Sequence, residues 1–337
     1  MKRNMKQWLK DYKDAPVKKA MPILSFPGAV MMNRTVNELV RDGHLQALCM
    51  KTIADRFDTG AAFSLMDLSV EAEAFGSPVL YSDEDVPTVN GVLIHEEEEA
   101  QALKVPKVGD GRTGACVEGI KEASQLITDR PVLAGIIGPF SLAGRLTDMT
   151  EIMYLCFDEP EMVECLLEKA TEFLIQYALA FKEAGANGVC MAEPAAGLLS
   201  PQLFEEFSVP YVQKIRSAVE DENFIVMYHN CGNIKPLLPA VKEIGACAYS
   251  VGNSIDIEDA LKVLPEDAMV IGNIDPAGVI RSGTPELIYQ ETLQLLERCS
   301  RYGNFVLASG CDIPPMSPVE NIQALFDAVQ EFYKDKA

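Results

Sequence analysis

Phe224-Ile225-Val226-Met227-Tyr228-His229-Asn230-Cys231-Gly232-Asn233 is an apolar run followed at once by an imidazole and a thiol. Residues 224–227 have the composition of a buried β-strand, bounded by Gly232-Asn233 and Pro236. His229 and Cys231 are therefore expected where that strand ends. In extended chain, residues i and i+2 point to the same side, so the imidazole and the thiol aim at one point. Both are ligand types that zinc prefers. A third ligand is expected from Cys311, in Ala308-Ser309-Gly310-Cys311-Asp312-Ile313-Pro314-Pro315, because it too sits just past an apolar run, 305–307. The competing reading is a chance pairing, with the cysteines serving as buried apolar filler.

Outward from this stretch the chain alternates. Strand candidates fall at 23–26, 61–65, 132–137, 188–192, 224–228, 246–251, 269–272 and 305–307, each followed by at least one segment of helical spacing. Strict alternation implies an α/β fold with a parallel sheet. Eight such units imply a closed (β/α)8 TIM barrel, forming a single domain over 21–337. A doubly wound open sheet is the alternative, but no Gly-x-Gly-x-x-Gly follows the first strand. Residues 1–20 read as an N-terminal helical extension. The stretch 71–112, with Pro78, Pro87 and Pro106, reads as a long loop or lid insertion. Its acidic run 96–99 reads as a solvated helix start. One helix is expected over 36–57, and two over 141–182, broken near Asp158-Glu159-Pro160.

Polar residues interrupt apolar surroundings at the carboxyl ends of these strands: Asp67, Glu193, His229, Cys231, Asp275 and Cys311. In a barrel that rim carries the catalytic groups. Asp67 and Glu193 are the candidate catalytic carboxylates, expected to orient a metal-bound histidine or to face substrate. Strand-end capping is the alternative for both, and a turn role for Asp275. The fifth and eighth strands are expected to face each other across the barrel, holding His229, Cys231 and Cys311 over its mouth.

Composition narrows the partners. The 337 residues are 48% hydrophobic and carry a formal net charge of −21. Such a field disfavours nucleic acid and anionic membranes. No run of eighteen apolar residues exists, so no membrane span is expected. The first twenty residues are basic, with seven Lys/Arg against Asp11 and Asp14, and lack the apolar stretch of a secretory signal. Nine scattered cysteines in a large chain point to reduced thiols and a cytoplasmic location.

Several segments resemble the uroporphyrinogen decarboxylase superfamily over nearly the whole chain. They are Met66-Asp67-Leu68-Ser69-Val70-Glu71-Ala72-Glu73-Ala74-Phe75-Gly76, Gly138-Pro139-Phe140-Ser141-Leu142-Ala143 and Ala196-Gly197-Leu198-Leu199-Ser200-Pro201. Gly272-Asn273-Ile274-Asp275-Pro276 and Ile313-Pro314-Pro315-Met316-Ser317-Pro318-Val319-Glu320-Asn321-Ile322 complete the set. The resemblance implies a (β/α)8 barrel, in agreement with the strand count. Two departures separate this chain from the decarboxylases. Their arginine-rich motif after the first strand corresponds here to residues 25–34, with Arg34 alone. Their Gly-His-Gly near the last strand is Gly310-Cys311-Asp312 here. His-x-Cys together with a distant Cys is instead similar to the zinc methyltransferases of the methylcobamide:coenzyme M type. That likeness implies His229, Cys231 and Cys311 as zinc ligands. Relatives with an acidic fourth ligand take it from the segment after the sixth strand, which here reads Val251-Gly252-Asn253-Ser254. Water, Glu193 or Asp67 are the expected substitutes.

The resemblance further implies transfer of a methyl group from methyl-Co(III) of a corrinoid to a small thiol such as coenzyme M, leaving Co(I). The corrinoid is expected on a separate partner protein, since Asp-x-His-x-x-Gly is absent, and His44 and His95 read as structural. Arg34 and Arg145 are the nearest cations for an anionic thiol. The alternatives are a corrinoid-linked methyltransferase using tetrahydrofolate or demethylating a methoxylated or methylated substrate, a porphyrinogen decarboxylase, and a non-catalytic zinc-binding subunit.

Overall fold

Nine strands appear in the computed structural model, which describes residues 3–335. In chain order they are β1 (Ala62–Phe63), β2 (Val79–Leu80), β3 (Thr88–Val89), β4 (Val132–Ile137), β5 (Gly188–Ala192), β6 (Ile225–Asn230), β7 (Ala248–Val251), β8 (Met269–Ile274) and β9 (Phe305–Ser309). Seven form one sheet in the order β1-β4-β5-β6-β7-β8-β9. Every neighbouring pair in it is parallel, while β2 and β3 make a separate antiparallel ribbon. Helices follow the sheet strands and cover their outer face, as a parallel sheet requires.

The sheet curls around an apolar interior to which all seven strands contribute. Leu133, Cys190, Ala192, Ile225, Met227, Ala248, Met269, Ile271, Val306 and Ala308 belong to this inner cluster with Phe63. Their chain neighbours Val189, Val226, Val270, Phe305 and Leu307 belong to the outer core beneath the helices. Burial on both faces is why these strands read as unbroken apolar runs instead of alternating ones.

The expected first strand, 23–26, is not a ladder strand. The neighbouring segment still runs between the two edges of the sheet. Met21 N–H donates to Leu307 O at 2.8 Å, and Gly60 N–H donates to Ala20 O at 2.8 Å. Met21 and Ile23 join the inner cluster while Ala20 and Leu24 join the outer core, so the side chains keep strand parity. Pro22 has no N–H to donate, and Pro27 opens the helix Pro27–Met31, which leaves too few donors for a ladder. Beyond the last strand Ile313 N–H donates to Ile23 O at 3.0 Å, and Ser25 Oγ lies 3.0 and 3.1 Å from the Asp312 carboxylate oxygens.

Helix boundaries differ from expectation in two places. Residues 36–57 form two helices, Val36–Arg41 and Gly43–Arg56, because Asp42 caps the second by accepting from Leu45 N–H at 3.0 Å. Residues 141–182 hold three: Pro139–Leu146, Glu151–Asp158 and the 25-residue Pro160–Ala184. The last starts with Pro160 in its first turn and stops at Gly185, whose φ of 106° is left-handed. The N-terminal helix Met5–Asp14 lies against the inner cluster, with Met5 fully buried in it. The stretch 71–112 contains most of helix Val70–Phe75, the β2–β3 ribbon and helix Glu97–Ala102. No helix among the described residues is long and apolar enough to cross a membrane.

Candidate metal centre

β6 runs two residues further than expected, so His229 lies inside the strand. It registers with Ala192 of β5 on one side and Ser250 of β7 on the other. Ile225 and Met227 line the interior, and the same parity sends His229 inward at the carboxyl end of the strand. Asn230 closes the strand: its Oδ1 accepts from Gly232 N–H at 2.9 Å, an Asx turn that carries Cys231 over the rim. Cys311 follows β9 after Gly310, whose N–H donates to Ile274 O at 2.7 Å. His229, Cys231 and Cys311 each present one ligand atom, and these atoms all lie within 4.8 Å of one another. Among the described residues they form the one grouping of three or more His, Cys, Asp or Glu with metal-holding spacing. Only β7 and β8 separate β6 from β9, so the group rests against that arc of the rim instead of spanning the mouth between opposite strands.

His229 is 1% exposed. Its Nδ1 is 2.9 Å from Ser250 Oγ. Its Nε2 is buried and meets no partner at hydrogen-bonding geometry, although the ring is near enough to help lower the pKa of Cys231. A hydrogen bond from Cys311 is the main cause holding the Cys231 thiol well below its ordinary range, against the effect of burial. The same bond, with burial, holds Cys311 well above it. One sulfur of the pair is thus held toward the thiolate, beside a ring whose buried Nε2 has no hydrogen-bond partner. An unpaired buried polar atom costs about 1–3 kcal/mol, which a cation between the three donors removes.

No carboxylate joins the three donors among the described residues. Asp67, 6% exposed, is committed elsewhere. It accepts from Ser69 N–H at 3.0 Å and Ser69 Oγ at 2.6 Å, and pairs with the Arg112 guanidinium. Arg112 Nε also donates to Glu73 at 2.7 Å. Burial opposes the charge on Arg112, yet Asp67 and Glu73 hold its pKa above the usual arginine value. Glu193 is fully buried, and its two oxygens accept from Phe140 N–H at 3.0 Å and Ser141 N–H at 2.6 Å. Its carboxylate therefore sits on the N-terminus of helix Pro139–Leu146, where backbone donors are unpaired. Burial pushes its pKa up to about 7, against the bonds from Ser141 and Phe140. Its N–H meanwhile donates to His229 O at 2.9 Å. Neither carboxylate belongs to the donor group. Asp275 takes the turn role, accepting from Ala277 N–H and Gly278 N–H at 2.9 Å each.

Of the two candidate cations, Arg34 is exposed and paired with Glu38 at 3.2 Å. Arg145 is half-buried on the helix after β4. Burial lowers its pKa while Asp67 acts to raise it. His44 is paired with Glu122 at 2.9 Å on the surface, and exposed His95 lies outside the donor group. The sequence reading missed Arg112, Glu71 and Ser250. Glu71 is 1% exposed and spans from helix Val70–Phe75 to the end of β4, accepting from Ile137 N–H at 3.0 Å. Ser250 had one available signal, a small hydroxyl side chain between Tyr249 and Val251 in a buried strand.

Fold and site together define an α/β protein with a soft-donor group at the carboxyl ends of its parallel strands, where such folds carry chemistry. The chain belongs to the uroporphyrinogen decarboxylase (URO-D) family, which it matches over residues 10–332. It is 29% identical over 299 residues to methylcobamide:CoM methyltransferase MtbA of Methanosarcina acetivorans, covering 86% of each chain. With methylcobamide:CoM methyltransferase MtaA of Methanosarcina barkeri it shares 31% identity over 271 residues, 79% of this chain and 78% of that one. A solved structure of a methyltransferase from Methanosarcina mazei superposes with a TM-score of 0.86 at 29% identity, over 98% of each chain.

Proposed function

We propose that this chain is a zinc-dependent methyltransferase that moves a methyl group from the methylated corrinoid of a separate protein to a small thiol such as coenzyme M. The observation that carries the reading is the donor set: two cysteine sulfurs and one imidazole nitrogen within 4.8 Å of one another, on a ring whose buried Nε2 has no hydrogen-bond partner. Zinc takes such Cys2His sets, and three protein ligands leave one tetrahedral position open, the mark of a catalytic site. His229, Cys231 and Cys311 would hold the ion. When bound, it would make the acceptor's sulfur a thiolate at neutral pH, since a coordinating thiol loses its proton. The partner's corrinoid would supply the methyl group to that sulfur and keep the electron pair of the broken carbon–cobalt bond.

The chain's own groups position the reactants. Arg145, half-buried beside the mouth, suits an anionic end of the acceptor, whereas Arg34 is already paired. Leu198, in the turn after β5, and Met316, in the loop after Cys311, are 67% and 44% exposed and offer apolar surface to the donor protein. Asp67 and Glu193 brace the rim. In this reading residues 20–26 close the sheet into a barrel as its eighth stave. A substrate with many carboxylates, as the decarboxylases handle, needs more free cations than this rim provides.

Zinc-edge X-ray absorption on the purified full-length chain tests the proposal. We expect one zinc per chain with two sulfur neighbours, rising to three when the thiol is added, at about 2.3 Å. A folded, active, metal-free preparation, or a sulfur count that no thiol changes, would overturn it.

A further inference from the structure

The segment that follows His229 across the sheet contributes no ligand, yet it touches the support of all three. Ser250, 2% exposed, stands opposite His229 in the β6–β7 register with its Oγ 2.9 Å from Nδ1. Gly252 N–H donates to Asn230 O at 3.0 Å, and Gly252 lies so close to the Cys231 backbone that any side chain there would overlap it. Ser254 Oγ donates to Cys231 O at 2.9 Å. Gly310, next to Cys311, packs on Asn253: a Cβ at Gly310 would fall 2.7 Å from the Asn253 nitrogen. Asn273 Nδ2 ties the segment down from β8, donating to Gly252 O and Ile255 O at 2.9 Å each.

From this we infer that Ser250 is the positioning residue for His229, holding the ring with Nδ1 protonated and Nε2 aimed at the thiols, while residues 252–254 hold the two cysteine-bearing turns at ligand distance. A neutral imidazole has one donor and one acceptor nitrogen, and the partner of one decides what the other can do. Ser250 Oγ can accept from Nδ1–H. The lone pair then lies on Nε2, which no protein group takes up. Without the hydroxyl the ring is free to adopt the other tautomer, which would place Nε2–H against Cys231 and Cys311 and close the site to a cation. A carboxylate or carbonyl commonly plays this supporting part toward a metal-bound histidine. Here a neutral hydroxyl does so, adding no charge beside two cysteine sulfurs.

The inference rests on the zinc reading, and the test separates the two. The full-length chain is labelled with ¹⁵N-histidine; only three histidines occur, and His44→Gln and His95→Gln assign the remaining signals. Zinc affinity is measured by chelator competition on the same samples. In the unaltered chain we expect His229 as a single Nδ1–H form, before and after zinc is added. Ser250→Ala should mix the tautomers and weaken zinc binding by roughly 10–100-fold, the range typical of a supporting group, and Ser250→Thr should restore both. A purely structural role would lower the melting temperature and leave the tautomer alone. An Nε2–H form in the unaltered chain overturns the inference without any variant. So does a Ser250→Ala chain with an unchanged tautomer and zinc affinity within about threefold, below the range expected of a supporting group. If the unaltered chain binds no zinc, the zinc reading fails by itself, and the metal-free tautomer still decides the role of Ser250.

Discussion

Three of the nine cysteines show how much environment separates identical side chains. Cys190 is fully buried in the inner cluster, and burial holds its thiol well above the ordinary range. Cys247 packs against the same cluster, with its pKa pushed up to about 12 by burial. Cys311 instead lies beside Cys231 and His229. Cys311→Ser is therefore expected to weaken zinc binding by more than the roughly 10–100-fold typical of a supporting residue, since it removes a ligand outright. Cys190→Ser and Cys247→Ser should keep one zinc per chain. Cys190→Ser should lose about 1–3 kcal/mol of stability, because its hydroxyl is buried among apolar groups. Zinc content and denaturant unfolding on the three variants check this. Equal zinc loss in all three would refute the assignment.

Carboxylates tie helices to strand ends in this fold, and Glu71 is the clearest case. One of its oxygens accepts from Ile137 N–H, while the other is buried without a hydrogen-bond partner. Burial pushes its pKa up to about 7, against the bond from Ile137. An unfolded glutamate titrates near 4.3, so between about pH 4.3 and 7 the folded state binds the extra proton. Its contribution is full below the unfolded value and is lost as pH rises through 7. Glu71→Gln keeps the acceptor and cannot ionise. The variant should match the unaltered chain at pH 4 and be more stable at pH 8, by on the order of 4 kcal/mol at 1.36 kcal/mol per pKa unit. Thermal unfolding at the two pH values measures it, and parallel profiles would show that Glu71 carries no such term. Glu193 follows the same sign, since burial raises its pKa as well.

At the scale of the molecule, opposite ends of the sheet do different work. The metal-binding candidates occupy the carboxyl ends of the strands, while the N-terminal helix plugs the interior from elsewhere on the fold. Asn4 caps that helix by accepting from Gln7 N–H at 2.8 Å, and Met5 N–H donates to Glu222 O at 2.7 Å. Met5→Ala should cost about 2–5 kcal/mol, the range for emptying a buried methionine site, through the cavity left in the inner cluster. Zinc affinity should stay unchanged, because Met5 is bonded to Glu222 ahead of β6, whereas the donors sit at or beyond the carboxyl ends of β6 and β9. Denaturant midpoints and chelator competition on one preparation test both halves. A loss of zinc without loss of stability would mean that the two ends are coupled.

The sequence by itself determined the alternation of strand and helix, the parallel sheet that alternation requires, and His229, Cys231 and Cys311 as a candidate donor trio. Each of these rests on local periodicity or on side-chain type, which a linear chain displays directly. Only the tertiary structure shows what Asp67 and Glu193 bond to. A carboxylate at a strand end reads the same whether it meets a substrate, Arg112 or the N-terminus of a helix, and its partners lie 45 and about 52 residues away. The same holds for the segment at 20–26, where Pro22 and the following Pro27 leave a strand-like stretch short of donors. It holds equally for Ser250, an ordinary hydroxyl until the β6–β7 register sets it against His229. Contacts of this kind are fixed by how the chain curls back on itself, so their geometry emerges only once the whole sheet is assembled.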